Sequence, residues 1–468
     1  MSTQPILAPA DTWFTQGGTT IKRASITEIE IKDSYTPAGE VVASWDASAA
    51  KDGSVMVYVE GTKLTIAGNG TGKVYMNSDS SCAFSSTGSD RFGNITKIAG
   101  GNLLDTSKVT TLLKAFDRCL SLQEVDVSNW DTSKLVSTKA MFQGCISLEA
   151  LDLSKWQMDT VSDTSYMFNS IESMGGMKLT TIGDVRNWDL SEVTTMRQMF
   201  QFCTSLKNLN TITWKTGACT DMVFMFCKCT SLEELNVSNW DVSNVTSMYG
   251  MFHECNNLTT IGDTTNWKTG SCTDMSYMFD NCFSLEELNV SNWDVSKVTT
   301  MQRTFVGCTS LKELNVSNWD VSKVTSFCNT FSCGNDYGQV PMTIKELDVS
   351  KWNTSSATDM SFMFYGCRSP KTIDVSNWDV SKVTNFDHMT AHSYLTLTGV
   401  DNWAPSTACI NMNAMFYSIQ NTIIDVSKFN TSKVQFFSQM FEHANKLTEI
   451  IGLENWDTSF GLGFEEMF

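Results

Sequence analysis

Four histidines and fifteen cysteines are the side chains of this sequence best suited to catalysis or metal binding. His388 and His392 have i, i+4 spacing but lack the glutamate of a zinc-protease helix. Cys227 and Cys229 form one close pair, with no second pair at zinc-ligand spacing. No Gly-x-Ser-x-Gly motif or phosphate-binding glycine loop occurs, and a serine nucleophile would need a base. We therefore predict no enzyme, no catalytic residue, no metal and no cofactor.

Eight of the cysteines recur at one place of a repeat, 15 residues after a tryptophan or its equivalent. They are Cys119, Cys145, Cys203, Cys229, Cys255, Cys282, Cys308 and Cys367. This spacing predicts one buried column of free thiols, which pack as small apolar side chains. Disulfides between neighbouring units are geometrically conceivable, but assembly in the cytosol would disfavour them.

Tryptophan marks the repeat, mostly at steps of 26 or 27 residues. The series is Trp130, Trp156, Trp188, Trp214, Trp240, Trp267, Trp293, Trp319, Trp352, Trp378, Trp403 and Trp456. Phe429 and Leu104 take the same place in two further units. Residues 101–468 therefore contain about fourteen units, with two insertions, near residues 175–176 and 334–338.

One unit, around Trp240, predicts the local structure. Leu235 and Val237 alternate with polar residues, which is typical of a strand with one buried face. Asp241 and Ser243 favour a turn because their side chains bond nearby backbone. The apolar spacing in 245–252 predicts a short helix. The fold class expected is an α/β solenoid: a right-handed leucine-rich-repeat-like stack, with a parallel sheet on one side and short helices on the other.

The Leu-x-x-Leu-x-Val pattern resembles a leucine-rich repeat, although Trp240 replaces the usual Asn or Cys. The longer motif, Leu-Asn-Val-Ser-Asn-Trp-Asp-Val-Ser-Lys-Val-Thr followed by Met-Phe and Cys, resembles the bacterial surface-protein 26-residue repeat. That family is also called the BspA-like leucine-rich repeats, and the resemblance covers residues 101–468. It implies surface attachment and binding to host or cell-surface molecules, and it supplies no catalytic residues.

The first hundred residues do not follow the repeat. Residues 38–100 contain hairpin-like strands and predict a small all-β N-terminal cap. Residues 1–37 hold another strand and show no basic or apolar signal-peptide region. Members of the resembled family usually begin with a secretion signal, so we predict a virion component made in the host cytoplasm. This phage tail, fibre or capsid-decoration protein would contact other virion or tail proteins through residues 1–37. The alternative is a bacterial cell-surface adhesin.

The exposed strand face is the candidate binding surface. Its outward positions carry glutamates in one column and asparagines or aspartates in the next, which stacking would align. Asparagine ladders can hydrogen-bond along such a stack, whereas stacked carboxylates repel unless a cation bridges them. The predicted ligand is a host-surface glycan or protein, and the alternative is a solvated face. The candidate residues are Glu234, Asn236, Glu287, Asn289, Glu313 and Asn315.

The net charge and the chain ends restrict the classes of partner that we expect. The net charge is −18 without a basic patch, which argues against nucleic acid and anionic membrane surfaces. No run of 18 apolar residues exists, so we predict no membrane span. Met467 and Phe468 end the last unit without a polar cap. We expect them to contact a partner or a second copy of the chain.

Overall fold

The computed structural model describes residues 3–18, 20–86, 88–333 and 343–468. The chain forms two units, Met1–Leu235 and Asn236–Phe468. Within the described residues the one α-helix is α1 (Thr12–Thr15), which precedes the repeats. Short 3-10 helices occupy Arg23–Ser25, Gly101–Leu103, Val400–Asn402 and Leu453–Asn455. The insertion predicted at 334–338 lies outside the described residues.

The strands of the described residues are short, each two to five residues long. In the first unit they are β1 (Glu28–Lys32), β2 (Ala43–Asp46), β3 (Met56–Glu60), β4 (Lys63–Ala67), β5 (Val74–Tyr75), β6 (Lys97–Ala99), β7 (Leu104–Asp105), β8 (Glu124–Val125), β9 (Asn208–Leu209) and β10 (Glu234–Leu235). In the second unit they are β11 (Thr372–Asp374), β12 (Thr396–Thr398), β13 (Ile423–Asp425) and β14 (Glu449–Ile451).

The N-terminal part of the first unit is a mixed sheet with the order β2-β3-β4-β1-β6-β8. The hairpin expected in this region is present, because β3 pairs antiparallel with β4. From β4 onward the pairing is parallel, and β1 lies between β4 and β6. The boundary predicted at residue 37 therefore runs through one sheet, since β1 belongs to the predicted attachment segment.

Coil-to-coil stacking begins upstream of the tryptophan series. Strand β5 pairs in parallel with β7, and Asp79 bridges Thr111 in the same direction. The Phe84 ring stacks on Phe116 with centroids 5.2 Å apart. This coil has no tryptophan, and for that reason the repeat spacing did not predict it.

Parallel pairing between successive repeats continues in both units, which confirms the repeated short parallel strands. In the second unit one line of pairing follows the strand face, where Thr260 bridges Glu287. A second line follows the opposite side of each coil. Its members are Ser247, Asp274, Thr300, Ser326, Asp359, Asn385, Asn411, Phe436 and Gly463.

The short helices predicted for each repeat were wrong. Met141 N–H donates to Thr138 three residues earlier, as in a β-turn, whereas Phe142 N–H donates to Met167 in the next coil, 2.8 Å away. Ala140, at the third position of that turn, has a φ of 53°. Each N–H donates once, and here every second one is used between coils. The i→i−4 pattern of a helix therefore cannot form, although the apolar residues still face the core.

The tryptophan column has a polar function as well as a packing one. The Trp293 ring stacks on Trp267 at 5.5 Å and on Trp319 at 6.5 Å. Its indole N–H donates to the carbonyl of Thr264 in the preceding coil, 3.3 Å away. Trp352 and Trp378 repeat the contact with Val316 and Val349, both at 3.0 Å. A buried indole needs such an acceptor, so the column ties each coil to the one before it.

Candidate ligand-binding face

The strand face of the second unit alternates as the sequence predicts. Leu288 and Leu314 are buried, with 6% and 4% of their surface exposed. Glu287, Asn289, Glu313 and Asn315 lie between the buried positions and are exposed to solvent. The short parallel pairing keeps equivalent residues of successive coils side by side, so these four polar side chains form a two-by-two patch.

Two adjoining depressions follow this patch, and together we name them the strand-face groove. One has a volume of about 700 Å³ and the other about 850 Å³. They share Lys312, Glu313 and Asn315. The first extends to Thr260 and Gly262, and the second extends to Lys345 and Asp348.

The asparagines do not form the ladder that stacking suggested. Asn289 Oδ1 accepts from the backbone N–H of Ser291 at 3.2 Å and from its hydroxyl at 2.8 Å. Asn315 and Ser317 repeat both bonds at the same distances. The local turn prevails because one side chain supplies an acceptor for two nearby donors. The two Nδ2 groups make no hydrogen bond with a described residue and remain donors for a ligand.

The residues that line the groove include two lysines, Lys312 and Lys345, and six carboxylates, Asp263, Glu286, Glu287, Glu313, Glu346 and Asp348. Lys312 Nζ lies 2.5 Å from Glu286 Oε2. Lys345, one coil further, makes no ion pair with a described residue, and neither do Glu287 and Glu313. The lysines supply part of the positive charge that a stack of carboxylates needs. The groove therefore offers ammonium and amide donors beside carboxylate acceptors.

Two of the six predicted residues do not line the groove. Glu234 belongs to β10 of the first unit, where it lies opposite Asn208 of β9. Asn236 begins the second unit, and its Oδ1 accepts from the Ser238 N–H at 3.1 Å. The structure therefore brings together Glu287, Asn289, Glu313 and Asn315. Asn236 lies against Gly262 at one end of the groove, and Glu234 belongs to the first unit. The alignment of repeat positions did not identify Lys312 and Lys345, which immediately precede Glu313 and Glu346 in the sequence.

The predicted contacts at the two ends have different exposures. Trp13 and Phe14, in the predicted attachment segment, are buried, and the Trp13 indole donates to Ala83 at 2.7 Å. These rings are therefore unavailable for docking. At the other end Phe468 is 70% exposed and stacks on Phe441 at 5.8 Å, and Leu462 is 72% exposed. A partner at Met467 and Phe468 stays a prediction.

The most strongly perturbed histidine lies away from the strand face. His253 is largely buried, with Nδ1 3.3 Å from Asp280 and Nε2 3.1 Å from Glu254. Burial lowers the pKa of His253, but its contacts with the two carboxylates outweigh this and raise the pKa to about 9. Arg303 also pairs with Asp280, at 2.9 Å. The group is a largely buried charge network around Asp280, and its members are not among the residues that line the groove.

We expect His253 to make stability depend on pH. Its folded pKa of about 9 is above the reference value of 6.5, so its contribution is complete below pH 6.5 and is lost as pH rises through 9. The thermal midpoint of the second unit should fall across this window, and His253→Gln should flatten the fall. His443→Gln, at an exposed histidine, is the matched control. An unchanged slope in His253→Gln would contradict the assignment.

These features define a class: a repeat protein of stacked short coils with a polar face on its strand side. The chain matches the family model described as "Mycoplasma protein of unknown function, DUF285" over residues 86–177, 172–286, 257–342, 337–420 and 391–468. It belongs to this family. The family description assigns no function, so the role of the chain has to be argued from its own residues.

Other comparisons add little. A search of curated proteins finds no match. Among solved structures the chain is similar to one from "Structure of the Toll - Spatzle complex, a molecular hub in Drosophila development and innate immunity". Identity is 11% and the TM-score is 0.25, with 93% of this chain and 48% of that chain covered. The chain thus spans about half of that structure's length. In the described residues no helix has the length and apolar character needed to cross a membrane.

Proposed function

We propose that this protein is a non-enzymatic binding protein that holds a polar surface ligand, a glycan of a host or cell surface, in the strand-face groove. The observation that carries the proposal is the pairing of unused donors and acceptors on adjacent coils. Asn289 and Asn315 each keep an Nδ2 donor, and the Glu287 and Glu313 carboxylates keep their acceptors. Hydroxyl groups both donate and accept, so a sugar chain satisfies both kinds of group. The proposal assigns no catalytic residue or cofactor.

The length of the groove also supports an extended ligand. It crosses four successive coils, from Thr260 to Asp348, and parallel strands are spaced by about 4.8 Å. A polymer lying along the stack would therefore meet the same donor and acceptor pattern at each step. Repetition of weak sites raises the apparent affinity without any single strong contact.

The quadruple variant Glu287→Gln, Asn289→Asp, Glu313→Gln and Asn315→Asp tests the groove without changing the net charge. Aspartate keeps the oxygen that accepts from Ser291 or Ser317, as Asp348 does for Ser350 in the next coil. It removes the Nδ2 donor. We expect at least about a tenfold loss of affinity, about 1.4 kcal/mol, for glycans that the wild type binds on an array.

The matched control carries the same exchanges on the first unit, Glu234→Gln and Asn210→Asp. It should bind like the wild type, because these residues do not line the groove. Equal binding by the groove variant would move the site elsewhere on the chain. Failure of the wild type to bind any glycan on the array would reject the ligand class.

Two locations are proposed for such a binder. The family description names Mycoplasma, a bacterial genus, and the bacterial cell surface is proposed from the resemblance of the repeat to bacterial surface-protein repeats. Mass spectrometry of purified phage particles directly tests the second proposed location, the virion. Peptides of this chain in particles would support the virion, whereas labelling on intact cells, with none in particles, would support the adhesin.

A further inference from the structure

The column cysteines of the second unit share one arrangement. Cys282 donates its thiol hydrogen to the carbonyl of Phe252 at 3.1 Å, and Cys308 donates to Phe279 at 3.3 Å. In each case the acceptor is the phenylalanine of the preceding coil. The thiol hydrogen is thus used between coils, and the sulfur packs as an apolar atom.

Cys333 does not belong to this column. Its backbone N–H donates to the carbonyl of Tyr365 at 2.8 Å, as the Phe331 N–H does to Met363, so Cys333 continues the pairing with the next coil. Cys367 is the column member of that next coil, and its thiol donates to Phe331 at 2.7 Å. Two thiols from adjacent coils therefore meet at one level of the core.

The two sulfurs are close and shielded. Cys333 Sγ lies 3.4 Å from Cys367 Sγ, and the two residues are 1% and 2% exposed. A disulfide bond is about 2.05 Å long, so the sulfurs would have to approach by about 1.4 Å. Side-chain rotation can supply a movement of this size without breaking the parallel pairing of the coils.

We propose that Cys333 and Cys367 are an oxidative modification site, and that they form a disulfide when the chain folds in the presence of oxidised glutathione. The two thiols lose two protons and two electrons, the sulfurs join, and one oxidised glutathione becomes two reduced ones. The new bond closes a loop between residues 34 apart in sequence. This loop contains the insertion between two coils, whose unfolded freedom the bond would restrict.

The bond should form during folding rather than afterwards. Burial raises the pKa of the Cys367 thiol well above its usual value, and the thiolate is the form that attacks a disulfide. In the folded chain the thiolate is scarce and an oxidant has little access to either sulfur. While the chain is folding, both thiols are still solvated and reactive.

The test compares refolding of the fully reduced chain in glutathione buffer with refolding under dithiothreitol. After alkylation, mass spectrometry should show two fewer free thiols than the fifteen of the sequence, and the linked peptide should join Cys333 to Cys367. The thermal midpoint of the oxidised form should be about 5–10 °C higher than that of the reduced form. Cys333→Ala and Cys367→Ala should each lose the linkage and the shift.

A comparison pair exists in the first unit. The thiols of Cys119 and Cys145 also interact, but both of them donate to phenylalanine carbonyls of the preceding coil, those of Phe84 and Phe116, at 3.1 Å. In the proposed pair only Cys367 donates in this way, because the Cys333 thiol lies 3.7 Å from the carbonyl of Phe331 in its own coil. We expect this pair to stay reduced. Fifteen free thiols after oxidative refolding, or a linkage mapped to Cys119–Cys145, would overturn the proposal. The peptide map of the wild type decides the question even if an alanine variant does not fold.

Discussion

Replacing Asp280 with alanine is expected to lower the free energy of unfolding of the second unit by about 3–5 kcal/mol. The Asp280 side chain is fully buried, and its two oxygens accept from Arg303 Nε at 2.9 Å and from Nη2 at 3.2 Å. It also faces the His253 ring at 3.3 Å. Removing the carboxylate leaves the Arg303 guanidinium without this counter-ion and leaves Glu254 as the carboxylate beside His253.

Calorimetry of the Asp280→Ala variant measures this effect. The matched control is Asp184→Ala, which breaks an ion pair with Arg186 on the surface, where the two side chains are 51% and 59% exposed. Water screens such pairs, so the control should unfold at nearly the wild-type temperature. Equal midpoints for the two variants would show that the Asp280 network does not contribute to stability.

The second large effect is expected for Trp352→Ala, which should cost about 3–5 kcal/mol. The Trp352 ring is fully buried between Trp319 and Trp378, at 6.4 and 6.3 Å, and its indole donates to Val316. Alanine leaves a cavity in the stack, and the Val316 carbonyl loses one of its two donors and keeps the Trp319 N–H. Denaturant unfolding of the second unit would report the change as a lower midpoint.

Trp352→Phe separates packing from hydrogen bonding. Phe429 occupies the same column and stacks on Trp456 at 6.5 Å, so a phenyl ring fits this environment. The phenylalanine variant should lose less than half as much stability as the alanine variant. If alanine and phenylalanine were equally destabilising, the stacked ring itself would contribute little.

The strands and turns of the repeat could be predicted from the sequence because their signals are local. Leu235 and Val237 alternate with polar residues and are buried, as expected. Ser243 donates its N–H to Asp241 Oδ1 at 3.0 Å, and this is the turn that the Asp-x-Ser motif indicates. Alternation of apolar and polar residues specifies a strand, and a turn-forming side chain specifies a turn. Neither signal depends on the neighbouring coils.

Whether the second half of each repeat forms a helix or a series of turns could not be predicted in the same way. A spacing of three fits a helix, but it also fits consecutive turns in which residues such as Ala140 take a positive φ. The choice depends on whether an N–H bonds within its coil or to the next coil, and the sequence of one coil does not contain that information. The indole hydrogen bonds of the tryptophan column are easier to infer from the sequence, since a buried Trp N–H requires an acceptor.

The sequence likewise predicted only part of the binding face. Its outward positions followed from the alternation, whereas the extent of the groove followed from the three-dimensional arrangement of neighbouring coils. One end of the groove lies at Thr260 and Gly262, and Glu234 falls in the other unit. The Asn289 ladder failed because Ser291 offers two donors within the same turn. The position of a residue in the repeat does not show which of several possible hydrogen-bond partners its side chain will take.

Carboxylate footprinting tests the central claim, that the strand-face groove is where this protein binds its ligand. A water-soluble carbodiimide would label exposed carboxylates with and without a glycan identified on the array, and mass spectrometry would locate the labels. Bound ligand should lower labelling of Glu287 and Glu313. Glu449, on the strand face but outside the groove, should keep its labelling. Unchanged labelling of Glu287 and Glu313, with protection found on other carboxylates, would show that the ligand binds elsewhere on the chain.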